Sequence, residues 1–461
     1  MNIRKRTFIM FNLIVTCIAS SFLQTALTTA LPPIINDLNI SVSEGQWLTS
    51  GYSLAMGIMM PLTAFLITRC RTKKLYVSAI GIFLAGLIVC IFAADFWTMM
   101  LGRVLQACSN GITTSMAQVV LLTIYPPEKR GTVMGWYGLS VGAAPVIAPT
   151  IAGVLVDTLG WRTIFVIAFI ILAVSFIMAL IVFDNVLETR IKTFDVYSFV
   201  LSALAFGGIT LGIGNLSAAG ISRAITICPL AVGIAAGVLF TYRQLHIKEP
   251  FLNLRILKVH EYRLSVIGSM MLYFVMMGSS VIMPLYVQSI LGRSATISGL
   301  VTLPGSLAMT VISPLAGKIY DKFGMKRLSI AGILMMIVST FGMSFITENT
   351  NLLFTAILNV IRSVSIGCLM MPFVTFGISS MKSENTAHGT ALLTSLRTIA
   401  GAIGTAVFVG ILNVCSTGTA AAAYGNAGIY GLHITFGCMA AVTAVMLIVF
   451  VLGMKNSRQH T

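Results

Sequence analysis

Carboxylates are scarce in this sequence. Its 461 residues include 13 Asp and Glu against 29 Lys and Arg, and only 9% of the chain is charged, compared with about a quarter of an ordinary soluble domain. No polar stretch is long enough for a separate soluble domain. With 57% hydrophobic residues, the whole length belongs to one polytopic membrane body. The Cys residues at 17, 70, 90, 108, 228, 368, 415 and 438 form no Cys-x-x-Cys pair and have no His at ligand spacing, so they read as small apolar residues and no metal site is expected. A GxxxxGK[ST] loop is missing, which excludes an ATP-driven pump. No nucleophile, base and orienter assemble, so an enzyme is not expected. The net charge of +16 would suggest nucleic acid in a soluble protein, yet no basic stripe alternates with aromatics.

What the chain does have is apolar runs near twenty residues. They predict fourteen helices, at 7–33, 46–68, 75–94, 97–123, 132–156, 162–183, 196–215, 222–242, 263–290, 296–318, 327–346, 351–379, 387–413 and 430–454. Arg4-Lys5-Arg6 precedes a first run that passes Pro32 without a small-residue cleavage site, so this helix is retained rather than removed as a signal. Lys and Arg alternate with the loops. Only Arg162, Arg223 and Arg293 fall on the side opposite the amino terminus, and only Arg103, Arg362 and Arg397 fall inside apolar runs. The excess of basic residues marks the cytoplasmic side, so both termini of an even-numbered bundle are expected there, in the cell membrane. A weak repeat supports two halves: Pro61-Leu62 and Lys73-Lys74-Leu75 recur as Pro314-Leu315 and Lys326-Arg327-Leu328, and Arg103 is echoed by Arg362. The expected fold is an all-α polytopic membrane protein with a six-helix bundle at 1–190, two inserted helices and a linker at 191–262, and a second six-helix bundle at 263–461. The charged stretch from Arg243 to Arg263 is expected to lie on the membrane surface.

One loop stands out. In GKIYDKFGMKRL, Gly317 lets a helix end approach its neighbour, Asp321 follows one turn later, Gly324 permits a tight reversal, and Lys326 and Arg327 hold the next helix start at the surface. Such a loop is a hinge candidate, with Asp321 expected to meet basic side chains or a helix amino terminus of the other bundle. It resembles the loop signature of the major facilitator superfamily. WLTSGYSLAMGIMMPLTAFL (47–66), GRVLQACSNG (102–111), YPPEKRGTVMGWYG (125–138), GAAPVIAPTIAGVLVDTLGWRTIF (142–165), YVQSILGRSATISGLVTLPG (286–305) and HGTALLTSLRTIAGAIGTA (388–406) look like the fourteen-helix drug:proton antiporters of that superfamily.

The resemblance implies secondary active export of lipophilic or cationic drugs, driven by the proton gradient with no bound cofactor. It assigns proton coupling to Arg103, and an antiporter signature to the small-residue face with Gly142, Pro145, Pro149 and Gly153. Close helix packing alone would place the same glycines there. Burying a guanidinium in a membrane costs several kcal/mol, so Arg103 either meets acceptors or snorkels to the headgroups. Gln24 stands where the family's first helix usually carries an acid, and Gln takes up no proton. The acids at 37, 44, 95, 128, 157, 184, 188, 195, 249, 261, 321, 348 and 384 all fall in loops or at helix ends. Asp157, beyond the small-residue face, is the acid to test for coupling, or else a partner of Arg162. Gln24, Thr28, Tyr52, Gln106, Met116, Tyr273, Gln288 and Arg397 are the candidate cavity groups. The expected partners are small-molecule substrates, protons and the bilayer, for a monomer with no nucleic acid. The acid-poor interior also suits neutral or anionic metabolites or lipids, exported with weak or no proton coupling. A sensor with a transporter fold would bind without flux.

Overall fold

Long apolar runs leave the backbone no partner but itself inside a bilayer, and this chain answers with helices. The computed structural model describes residues 3–40, 42–187, 189, 194–216, 223–247, 250–293, 295–417 and 426–454. The side chains of Thr28, Pro145 and Pro149, and the expected boundary at 190/191, lie outside the described residues. The first half contains α1 (Ile3–Asp37), α2 (Val42–Arg69), α3 (Thr72–Ile91), α4 (Phe96–Ile124), α5 (Pro127–Leu159) and α6 (Arg162–Val182). A hairpin of α7 (Val196–Leu216) and α8 (Arg223–His246) follows. The second half contains α9 (His260–Leu285), α10 (Ala295–Met343), α11 (Leu352–Ser379), α12 (Thr386–Thr417) and α13 (Ala427–Gly453).

Twelve helices among the described residues are long and apolar enough to cross a membrane, where the apolar runs predicted fourteen. The difference lies in two places. α10 is 49 residues long, about 73 Å at ~1.5 Å per residue, more than twice the ~30 Å hydrocarbon core. It leaves helical geometry at Gly324 (φ 75°, ψ 174°), so two spans meet there end to end. That dihedral pair belongs to glycine, because a Cβ would clash with the backbone. The second place is α5, which has 33 residues but is not among the twelve.

Packing sorts the helices into two groups. In the first, α1 lies on α5 and α6, α3 on α4 and α6, and α2 on α4; in the second, α9 lies on α11 and α12, and α13 on α10 and α12. A buried polar knot ties α1, α3 and α6: Asn12 Nδ2 donates to Ser175 O (2.8 Å), Tyr76 Oη donates to Asn12 Oδ1 (2.8 Å), and Thr16 Oγ1 meets both Tyr76 Oη (2.9 Å) and Ser175 Oγ (2.8 Å). Polar groups matched in this way hold membrane helices together. The groups meet where α5 packs on α10 and α11, and where α12 packs on α2 and α4.

The α7–α8 hairpin leans on α2 and α12 through α7. Asp195, just before α7, accepts from Ser198 N and Oγ and from Arg243 Nη2, and Gln244 joins Ser198 Oγ to Leu252 N. These bonds tie down the segment between Arg243 and Arg263 that was expected on the membrane surface. Phe251 and Leu252 are buried, and the Phe251 ring sits among those of Phe65, Phe194 and Phe199. Burying an aromatic ring and a leucine stabilises by roughly 1.5–3 kcal/mol each, which outweighs solvating the linker.

Candidate functional site

Three polar constellations lie along the line where the halves meet. The first is at the face carrying the Lys- and Arg-rich loops. Asp321, half-buried near the end of the first arm of α10, reaches the start of α5: Oδ1 accepts from Gly131 N (2.8 Å), and Oδ2 accepts from Thr132 N (2.7 Å) and Thr132 Oγ1 (2.7 Å). The backbones are close enough that a Cβ on Gly317 would overlap the carbonyl of Gly131. One on Gly135 would come within 2.6 Å of Ser313 O. Arg327 is exposed. The carboxylate therefore clasps backbone N–H groups rather than a basic side chain, and charge-assisted bonds of this kind contribute about 1.5–3 kcal/mol each.

The second constellation runs down α4. Arg103, 1% exposed, donates from Nη1 to Gln106 Oε1 (2.8 Å) and from Nε to Leu48 O (3.4 Å), and its guanidinium lies 4.1 Å from the centroid of the Tyr52 ring. These are neutral partners. Asn110 Nδ2 donates to Tyr52 Oη (2.8 Å), Thr114 Oγ1 donates to Asn110 Oδ1 (3.0 Å), Tyr137 Oη donates to Thr114 O (3.3 Å), and Gln118 Nε2 donates to Tyr137 Oη (3.2 Å). A polar column thus descends one face of α4 from Arg103 to Gln118.

At its foot the column meets the other half. Arg397 of α12 is 4% exposed and lies 4.8 Å from the ring centroid of Tyr273 on α9. Of the remaining candidates, Gln24 is half-buried, Met116 lies fully buried in the main apolar core, and Gln288 is exposed in the π-turn Tyr286–Ile290 that follows α9. Asp157 is exposed near the end of α5. A Cβ on Gly142 would press on Met309 of α10, whereas one on Gly153 would only graze Thr29 of α1. Asn110, Gln118 and Tyr137 escaped the sequence reading, although the spacing Arg103, Gln106, Asn110, Thr114, Gln118 repeats every three or four residues and would have exposed the stripe.

The opposite face carries a smaller tie. Arg162 does not pair with Asp157; its Nη1 donates to Asp37 Oδ2 (2.7 Å), its Nη2 to Ala93 O (3.0 Å), and Trp161 Nε1 reaches the same Asp37 oxygen at 3.1 Å. The bonds from Arg162 and then Trp161 hold the Asp37 carboxyl below the usual carboxylate range. A lowered folded pKa means that the tie persists above the ordinary range and is lost as pH falls through the folded value. With Trp47, Trp97 and Trp136 replaced by Phe, Trp161 emission is expected to stay flat through the ordinary carboxylate range and to change only at lower pH. A transition centred in the ordinary range would sink the tie.

Residues 13–405 match the model of the Major Facilitator Superfamily. The chain is 33% identical over 423 residues to the uncharacterized MFS-type transporter YcnB of Bacillus subtilis strain 168, covering 92% of this chain and 89% of that one. It is 34% identical over 406 residues to the lincomycin resistance protein LmrB of the same strain, covering 88% and 85%. Among solved structures, that of the proton:xylose symporter XylE bound to 6-bromo-6-deoxy-D-glucose superposes with a TM-score of 0.66 at 14% identity, covering 98% of this chain and 97% of that chain, a likeness of fold alone. The helices, the packing of the two groups and these relatives agree that the chain is a membrane transporter belonging to the major facilitator superfamily.

Proposed function

We infer that the protein exports lipophilic, drug-sized molecules from the cell by exchanging them for protons. In this reading the face bearing the basic loops is cytoplasmic, both termini lie there, and residues 1–190 and 263–461 are bundles that rock about the line where they meet, with 191–262 inserted between them. The clasp of Asp321 on Gly131 and Thr132 carries the reading, because it joins the halves at that face. A carrier held shut toward the cytoplasm stands ready to release its load outward. The name of LmrB, a lincomycin resistance protein, supports drug-like cargo. The monomer is the transporting unit, and the proton gradient supplies the energy without a bound cofactor.

Coupling is assigned to Arg103 and the column below it, with Asp157 as the acid at the outer end. A second reading, export of neutral or anionic metabolites with weak coupling, is favoured by one observation. The half-buried acids among the described residues, Asp195, Glu261 and Asp321, all stand at helix ends. The test is purified protein in liposomes with a pH-sensitive dye inside and an imposed proton gradient. Substrate-driven proton movement is expected; drug flux with no proton movement would overturn antiport and leave the second reading.

A further inference from the structure

Buried polar groups in this fold are mostly spoken for. The knot of Asn12, Thr16, Tyr76 and Ser175 is fully matched, and Arg103 has Gln106, Leu48 and Tyr52. α12 breaks the pattern. Thr390, Thr394 and Arg397 are spaced i, i+4, i+7 and so share one helix face. All are buried, at 0%, 2% and 4% exposure. Both threonine hydroxyls, and Nε and Nη1 of Arg397, lack a hydrogen-bond partner.

We propose that Arg397, with the free hydroxyls of Thr390 and Thr394 on the same face of α12 and the Tyr273 ring beside it, is the seat for an acidic group of the transported molecule, a carboxylate or phenolate. The proposal rests on the export reading above and narrows its cargo from lipophilic, drug-sized molecules at large to those that carry an acidic group. A guanidinium presents directional, permanently charged donors that match a carboxylate, and an unmatched one deep in a membrane protein is costly to keep. Arg397 and Tyr273 stand on α12 and α9 of the second half, and α12 packs on α2 and α4 of the first. Counted from the helix ends at the basic face, Arg397 and Tyr273 lie roughly 16 to 20 Å into the span at ~1.5 Å per residue. Arg362 also has unmatched Nε and Nη1, but its bonded partner, Asn359 at 2.5 Å, is on its own helix and in turn donates to Thr302 O of α10, in the same half. A ligand held at Arg397 touches both halves, as an alternating carrier requires.

The test uses two dyes that differ by one methyl ester, rhodamine 110 with a free carboxylate and rhodamine 123 with the ester, bound to purified full-length protein in lipid nanodiscs and read by fluorescence anisotropy. The wild type is expected to hold the acid roughly tenfold or more tighter than the ester, as the loss of a charge-assisted pair implies. Arg397→Gln is expected to remove the preference by weakening the acid alone, and Arg397→Lys to retain part of it, since lysine keeps the charge and loses the planar fork. Equal binding of the two dyes by the wild type needs no variant to fold and overturns the proposal. So does a preference that survives Arg397→Gln, or failure to bind rhodamine 110 at all. Vesicle flux separates the two readings: both dyes pumped equally leaves export standing and removes the seat, whereas acid-selective binding without flux leaves the seat standing and removes export.

Discussion

Asp321→Asn is expected to slow export roughly tenfold or more while leaving the protein in the membrane at normal abundance. Asp321 accepts three hydrogen bonds, from Gly131 N, Thr132 N and Thr132 Oγ1, and an asparagine offers one oxygen and turns an NH2 donor toward the remaining N–H groups. Losing even one charge-assisted bond weakens the clasp by about 1.5–3 kcal/mol, and each 1.4 kcal/mol is about tenfold in the balance between closed and open states. The state closed at the basic face becomes rare, so cargo is returned rather than released. Gly317→Ala should reproduce the defect by another route, because the added methyl meets the Gly131 carbonyl and holds the helices apart. Efflux rate divided by membrane abundance measures both. Normal efflux from Asp321→Asn would remove the clasp from the mechanism.

Arg103→Ala is expected to abolish substrate-linked proton movement. A buried cation with neutral partners only is held by Gln106, the Leu48 carbonyl and the Tyr52 ring, and its removal leaves the top of the α4 column without its charge. Arg103→Lys should fail too, since a lysine is a compact point charge and cannot span the amide, the carbonyl and the ring at once. Liposomes with an internal pH dye report the loss directly. Drug flux that continues with full proton coupling in Arg103→Ala would place the coupling elsewhere, and Asp157→Asn would be the next variant.

Much of the fold is legible in the sequence. Apolar runs at 97–123, 162–183 and 351–379 became helices at Phe96–Ile124, Arg162–Val182 and Leu352–Ser379, because a span's length is set by bilayer thickness and its ends by the first polar residues. The site was legible only in part. Arg103, Arg397 and Asp321 announced themselves as charges in unusual places, whereas Asn110, Gln118 and Tyr137 are common in soluble chains and passed unnoticed. Met116 and Gln288 were suited to a cavity by side-chain chemistry alone, and the structure places one fully buried in the apolar core and the other exposed past the end of α9.

The sequence by itself determined the solvent, the helix class and the family, since length, hydropathy and charge act locally along the chain. It also determined that a glycine had to stand where α10 turns from one span into the next, at Gly324. Only the tertiary structure decided what the charges meet. Asp321 binds backbone N–H groups at the start of α5, the second of the two kinds of partner expected, and every residue but proline carries such a group, so no side-chain pattern could say which helix it would be. Arg397 acquires the Tyr273 ring from a helix more than one hundred residues away in sequence. Such neighbours depend on how the helices pack, a long-range outcome that composition and spacing do not encode.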